Sequence, residues 1–234
     1  MNLLAIDTAT EACSAAIFCK GEWLERFELA PRRHAQELLP MIDSLLAEAG
    51  IGKRAIDAIA VGRGPGAFTG VRLAISTAQG MALALDRPVL PISSLAALAQ
   101  EALPRVPAGT PILAAIDARM GEVYAGVYRS DGMGLARLFG DEAVGPAANV
   151  PLPFMAGSPY AIVGTGWAAF REPIELRLGA PILADATRYP RALAVLQLAL
   201  PRYQQGLGLD PDQLVPSYLR DKIALTEAER SAQR

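Results

Sequence analysis

Residues 5–18 read AIDTATEACSAAIF and residues 115–128 read AIDARMGEVYAGVY, and the two align without a gap. Each opens on Ala-Ile-Asp; Ala15 then falls against Ala125, Ile17 against Val127 and Phe18 against Tyr128. Both copies place an aspartate at the end of an apolar strand, followed by a turn and a second strand of the same alternation. A duplicated strand-turn-strand unit leaves such a trace. The chain therefore reads as two related α/β halves, residues 1–105 and 106–234, joined through the proline-bearing connector LPRVPAGTP at 103–111.

Working outward from the first copy, NLLAID, ACSAAIFCK and WLERFEL read as three strands, with a turn at Lys20-Gly21-Glu22. A helix is expected from about Arg33 to Ala49, closed by Gly50 as its C-cap. AIDAIAVGR at 55–63 is the next strand, followed by a helix from about Gly70 to Leu85, a short strand PVLPI, and a helix capped by Ser93 or Ser94. The second half is looser. SDGMG, VGPAANVPLP and PDQLVP read as loops, YAIVGTG at 160–166 as a strand, and residues near 190–205 as a helix. The charged end LRDKIALTEAERSAQR is expected to fray.

With 234 residues, 52% of them hydrophobic, the chain has ample material for a core. A net charge of -2 gives no general attraction to phosphate backbones. The start, MNLLAIDTATE, lacks the basic region of a secretory signal, and no apolar run approaches the roughly 20 residues that span a bilayer. The expectation is a cytoplasmic protein without a membrane partner. Cys13 and Cys19 lie in one strand, roughly 20 Å apart at strand rise, too far for a mutual disulfide. His34 is the single histidine, which removes His-pair metal sites, and two cysteines cannot build a four-thiolate zinc site. No metal site is expected.

Three groups of residues are candidates for chemistry. Gly62, Gly64, Gly66 and Gly70, within GRGPGAFTGVRLAISTAQGMALAL at 62–85, either present backbone N–H groups to an anion at a helix start or make a tight strand-to-helix turn. Asp7 and Asp117, with Thr8 beside the first, either orient water or a metal near nucleotide phosphates or cap the turns that follow them. Gly164 and Gly166, in VGTGW, either let backbone approach an adenosine or make a turn. The turn after Asp7 lacks the glycine that a close phosphate approach requires.

The first two helices carry a signal of a different kind. In the first, His34, Leu38, Met41, Ile42, Leu45, Leu46 and Ala49 share one side, and Leu39 widens it beyond the roughly 100° needed for a single core contact. In the second, Val71, Ala74, Ile75, Ala78, Ala82 and Leu85 make one apolar face. The opposite face carries Leu73, Ser76, Thr77, Gly80, Leu83 and Ala84, and Arg72 is the only charge from Gly70 to Leu85. Such a helix must be covered twice, by the first helix, a second copy or another protein. His34, Leu38, Met41, Ile42, Leu45, Leu73, Ser76, Thr77, Gly80, Leu83 and Ala84 are therefore read as a partner interface.

AIDTATEACSAAIF, HAQELLP, VGRGPGAFTGVRLAISTAQGMA, DRPVLPISSLAAL, IDARMGEVYAGVY and PSYLR, in this order, closely resemble the TsaB (YeaZ) family from Asn2 to about Arg220. The resemblance implies an actin-like ATPase fold of two tandem RNase H-like halves, with mixed β-sheets flanked by helices. It also implies a role in forming N6-threonylcarbamoyladenosine at position 37 of tRNAs that read ANN codons. The family's catalytic relative, TsaD, carries two metal-binding histidines four apart; Ser94 and Leu98 stand at the corresponding places. The implied protein is a catalytically silent partner with no catalytic residue and no cofactor of its own, ATP or ADP belonging to the complex. Its implied partners are TsaD as a heterodimer, TsaE as the ATP hydrolase, TsaC as supplier of threonylcarbamoyl-adenylate, and tRNA through the complex. Alone it is expected to form a homodimer. The alternative is an enzyme that hydrolyses ATP or cleaves TsaD, using a cleft around Asp7, Thr8, Asp117, Gly164 and Gly166.

Overall fold

A computed structural model describes residues 1–153 and 156–220, so most of the charged end expected to fray lies outside the described residues. The first sheet holds β1 (Leu3–Asp7), β2 (Ala12–Cys19), β3 (Glu22–Leu29), β4 (Ala58–Gly62) and β5 (Val89–Ile92), in the order β3-β2-β1-β4-β5. The first three strands are antiparallel neighbours, while β4 and β5 run parallel to β1. The second sheet holds β6 (Ile112–Arg119), β7 (Glu122–Ser130), β8 (Ala136–Leu138), β9 (Ala143–Pro146), β10 (Ala161–Val163) and β11 (Leu183–Asp185). Its order is β11-β10-β6-β7-β8, with β9 also on β7, and β10 and β11 run parallel to β6. The path of the second sheet repeats that of the first, strand for strand. The duplication read from residues 5–18 and 115–128 is thus carried by β1–β2 and β6–β7.

Five helices of four residues or more complete the layers among the described residues: α1 (His34–Ala49), α2 (Phe68–Leu85), α3 (Ser94–Ala102), α4 (Thr165–Leu178) and α5 (Ala192–Gln204). Gly50 closes α1 in the left-handed conformation, and the Ser93 hydroxyl accepts the N–H groups of Leu95 and Ala96 to cap α3. The sequence gives no expectation of α4, which follows β10 directly. Its place matches that of α2 after β4. A counterpart to α1 is absent among the described residues of the second half, where β9 and loops fill the interval.

The three apolar layers explain how the elements stack. α1 and α2 cover the outer face of the first sheet through Leu4, Ile6, Ile17, Ile59 and Val61, and α4 covers the outer face of the second. Between the sheets lie α3 and α5, and they are exchanged. α5 packs on β1, β2 and β4, while α3 packs on β6. Small side chains at Ala5, Ala16, Ala58 and Ala60 let α5 lie close on the first sheet. Ser14 of β2 accepts the Ala192 N–H at 2.9 Å and Glu25 of β3 accepts that of Leu193 at 3.0 Å, so first-half side chains cap a second-half helix.

Leu38, Ile42 and Leu45 of α1 are each no more than 1% exposed and sit in the layer beneath α1 and α2. They cannot meet a partner, which corrects their reading as interface residues. A helix's apolar stripe faces whatever sheet lies below it, and here that sheet is the chain's own. Ile42→Val is expected to lower stability by about 1 kcal/mol, read from the urea midpoint, and to leave the outer face of α1 and α2 unchanged.

Candidate functional site

Among the described residues nothing covers the outer face of α2 at Ser76, Gly80, Leu83 and Ala84. Val71, Ala74, Ile75, Ala78 and Ala82 point inward and are at most 5% exposed, whereas Ser76, Gly80, Leu83 and Ala84 are exposed, Leu83 to 68%. Leu73 and Thr77 lie half-buried at its margin. A Cβ added at Gly80 meets nothing within 4 Å, so no internal packing requires a glycine there. Beside this stripe, α1 exposes Leu39 and keeps Met41 and His34 half-buried. The His34 Nε2 lies 2.9 Å from the Thr10 carbonyl, which can only accept, so this nitrogen carries the proton. The residue that presents α1 outward is therefore Leu39, the one that made its apolar stripe too wide.

A cleft of about 500 Å³ opens between the halves. The turn Ala9–Glu11 and the start of α2 wall one side; Ile116–Arg119, Tyr124, Thr165 and Tyr189 wall the other; Ser217–Arg220 crosses its rim. The Arg72 guanidinium lies 3.2 Å from the Phe68 ring centroid and 5.1 Å from that of Tyr218 and hydrogen-bonds the Tyr218 hydroxyl. Arg119 spans the mouth, with ion pairs of 3.0 Å to Glu11 and 3.0 Å to Asp117. Nothing in the sequence pairs Arg119 with Glu11; only the meeting of the duplicated turns does so.

The two repeated aspartates behave alike. Asp7 Oδ1 accepts the Ala9 N–H at 2.9 Å and Asp117 Oδ1 accepts the Arg119 N–H at 2.8 Å. Each caps the turn two residues on. They differ in exposure, since Asp117 lines the cleft and Asp7 is wholly buried. Burial pushes the Asp7 carboxyl up to about 6, against the lowering effect of the Ala9 N–H and the Ser94 hydroxyl. Thr8 is buried too, its hydroxyl donating to the Gly70 carbonyl at 2.7 Å.

The glycines serve close packing. A Cβ at Gly66 would stand 2.2 Å from the Ala9 carbonyl oxygen and one at Gly70 2.0 Å from that of Thr8, so the 62–70 loop lies against the turn after β1. A Cβ at Gly164 would meet the Ala115 carbonyl oxygen at 2.3 Å, and one at Gly166 the Ala115 and Val123 side chains at 2.8 Å. Asp7, Thr8, Gly164 and Gly166, read as nucleotide contacts, thus lie beneath the cleft and not on its wall. Only Asp117 of that group reaches it.

Comparison with known proteins bears on this arrangement. A family model described as TsaD, tRNA N6-adenosine threonylcarbamoyltransferase, matches residues 28–228. The tRNA threonylcarbamoyladenosine biosynthesis protein TsaB of Haemophilus influenzae is 40% identical, with 95% of each chain covered, and that of Escherichia coli 39% identical, with 96% of each covered. A solved structure, YeaZ from Pseudomonas aeruginosa, superposes with a TM-score of 0.86 at 48% identity, covering 93% of this chain and 99% of that one. The chain belongs to the TsaB (YeaZ) family. Its fold is accordingly the actin-like arrangement of two RNase H-like halves.

The fold family implies a nucleotide in the cleft, and in this TsaB-family chain the residues present do not fit one. The turn after Asp7 offers no glycine, and the Glu11 and Asp117 carboxylates line the cleft, where they would repel phosphates. Of the three arginines that line the cleft, Arg119 is paired to both of these carboxylates, Arg220 to Glu122, and Arg72 lies on the Phe68 ring and bonds the Tyr218 hydroxyl. Among the described residues no cluster of histidine, cysteine and carboxylate side chains is placed to hold a metal. Ser94 and Leu98 face inward: the Ser94 hydroxyl donates to Asp7 Oδ2 at 3.0 Å and Leu98 is fully buried. No described helix is long and apolar enough to cross a membrane.

Proposed function

We propose that this chain is a non-catalytic subunit of the machinery that forms N6-threonylcarbamoyladenosine at position 37 of ANN-decoding tRNAs. It pairs with TsaD through the outer face of α1 and α2, TsaE joins the pair, and tRNA is reached through the complex. The observation that carries the reading is the uncharged, exposed stripe of Ser76, Gly80, Leu83 and Ala84 on α2, with Leu39 of α1 beside it. Small residues at four-residue spacing let a partner helix approach closely, and a four-helix bundle would bury both stripes. The names of the relatives support the pathway. In the absence of TsaD, a second copy of the chain covers the same face. ATP or ADP acts at the level of the complex, and co-elution with TsaD tests the pairing.

The cleft of about 500 Å³ favours a second reading, an enzyme that hydrolyses ATP or cleaves TsaD. The capped, buried Asp7 and the paired Asp117 and Glu11 weigh against it. The purified chain with Mg²⁺ is expected to show no ATP turnover above that of an Asp117→Ala variant, measured as phosphate release. Robust turnover that depends on Asp117 and proceeds without TsaD and TsaE favours the second reading.

A further inference from the structure

A second pocket, of about 230 Å³, lies between the edge strands of the two sheets, with Pro91 and Ile92 of β5 on one side and Ala136–Leu138 of β8 on the other. Arg63 enters it from the loop after β4, Arg137 from β8 and Arg202 from α5. We propose that this pocket binds a phosphate group, held by the guanidinium groups of Arg63, Arg137 and Arg202.

Convergence of three permanent cations is costly unless an anion sits among them. Arg137 has a carboxylate at 3.5 Å, that of Asp131. Arg63 and Arg202 have none among the described residues; the Arg202 side chain donates to the Pro91 carbonyl at 3.3 Å and to no acid. The pocket also holds one carboxylate, Glu142, which accepts the hydroxyls of Ser93 and Tyr128 and forms no ion pair with the arginines, so three guanidinium groups face a single negative charge there. Burial first, and then Arg63 and Arg137, disfavour the charged form of Arg202, so the three groups feel one another. Guanidinium forks match the oxygen pairs of a phosphate, and two or three of them bind one group with defined orientation. The overall acidity of the chain makes the local excess of cations stand out further. Two sources share this chemistry, a free phosphate or nucleotide and the backbone of an RNA. The pocket lies apart from the outer face of α2, so this inference stands independently of the pairing with TsaD.

Titration calorimetry on the full chain, with inorganic phosphate, AMP and an RNA hairpin of anticodon-arm fold as separate probes, tests it. The wild type is expected to bind at least one probe saturably, and Arg63→Gln with Arg202→Gln to weaken that binding roughly tenfold or more. Binding of phosphate or AMP identifies a small ligand; binding of the RNA alone, with a salt dependence reduced by about one phosphate's worth in the variant, identifies a backbone. The unliganded double variant should melt at or above the wild-type temperature, because a repulsion is removed. Arg137→Gln, at an exposed position on β8, weakens binding in the same direction and serves where the double variant fails to fold. Absence of binding by every probe at millimolar concentration overturns the proposal. So does unchanged affinity in the variants, with or without a lowered melting temperature.

Discussion

If the proposed pairing holds, Leu83→Glu is expected to abolish co-elution with TsaD while the chain alone keeps its fold and melting temperature. Leu83 is 68% exposed in the free chain, so a carboxylate there is solvated and costs the monomer little. In a helical bundle the same carboxylate would be desolvated against apolar neighbours, and affinity should fall on the order of 100-fold. Gly80 supplies the complementary test. With open space around its Cβ position, Gly80→Ala should stabilise the isolated helix by about 0.5–1 kcal/mol, since a mid-helix glycine costs that much relative to alanine. Gly80→Arg should leave the fold intact and block close approach of a second helix. Ala78, by contrast, is fully buried on the inner face, and charging it would report on folding rather than pairing. Wild-type affinity in Leu83→Glu and Gly80→Arg together would remove α2 from the interface.

Asp7→Asn is expected to make the protein more stable at pH 7.5 by up to about 3 kcal/mol. The folded-state pKa stands at about 6 against 3.8 in the unfolded chain, a gap of that size in energy. Between those values the folded state holds a proton that the unfolded state has lost, so wild-type stability falls as pH rises from about 4 to about 6 and is level above. The introduced amide carries no charge, accepts from the Ala9 N–H in place of Oδ1, and donates to the Ser94 oxygen in place of Oδ2. Its advantage should therefore vanish below about pH 4. Urea midpoints at pH 7.5 and pH 4 read both limbs. A variant less stable than the wild type at pH 7.5 would mean that the native carboxylate has a cationic partner that the described residues do not supply.

The first sheet was legible because its signals are local. β1 to β5, α1, α2 and α3 have strong periodicity, a glycine C-cap at Gly50 and a serine N-cap at Ser93, and the repeat at residues 5–18 and 115–128 announces the second sheet. α4 escaped because Gly164 and Gly166 read as turn residues, Pro173 interrupts its interior, and Phe170 breaks its helical geometry. One signal was available: Val61-Gly62-Arg63-Gly64 and Val163-Gly164-Thr165-Gly166 repeat at the ends of β4 and β10, each ahead of a helix. β8, β9 and β11, three or four residues long, offer too little alternation to register.

At the candidate sites, the bare face of α2 was legible from its lack of charge, whereas the direction in which α1 points was not. Leu38, Ile42 and Leu45 look as suitable for a partner as Leu39 until the sheet beneath them is known. Asp7 shows the same limit from the other side. Its capping of Ala9 is local and was foreseen as one of two roles. Its burial depends on Ser94, 87 residues away, and on Gly62, where any Cβ would fall 1.8 Å from its carboxylate oxygen.

The exchange of α3 and α5 between the sheets bears on how such a protein arises and folds. A single ancestral unit would have laid its last helix on its own sheet or on that of an identical neighbour. Once two units share a chain and trade these helices, each sheet depends on the other copy for its inner cover, and Ser14 and Glu25 tether residues 178 and 168 positions later, at the start of α5. The inherited module and the cooperative folding unit have thereby parted company: the repeat is half the chain, and the smallest piece with both sheets covered is nearly the whole of it.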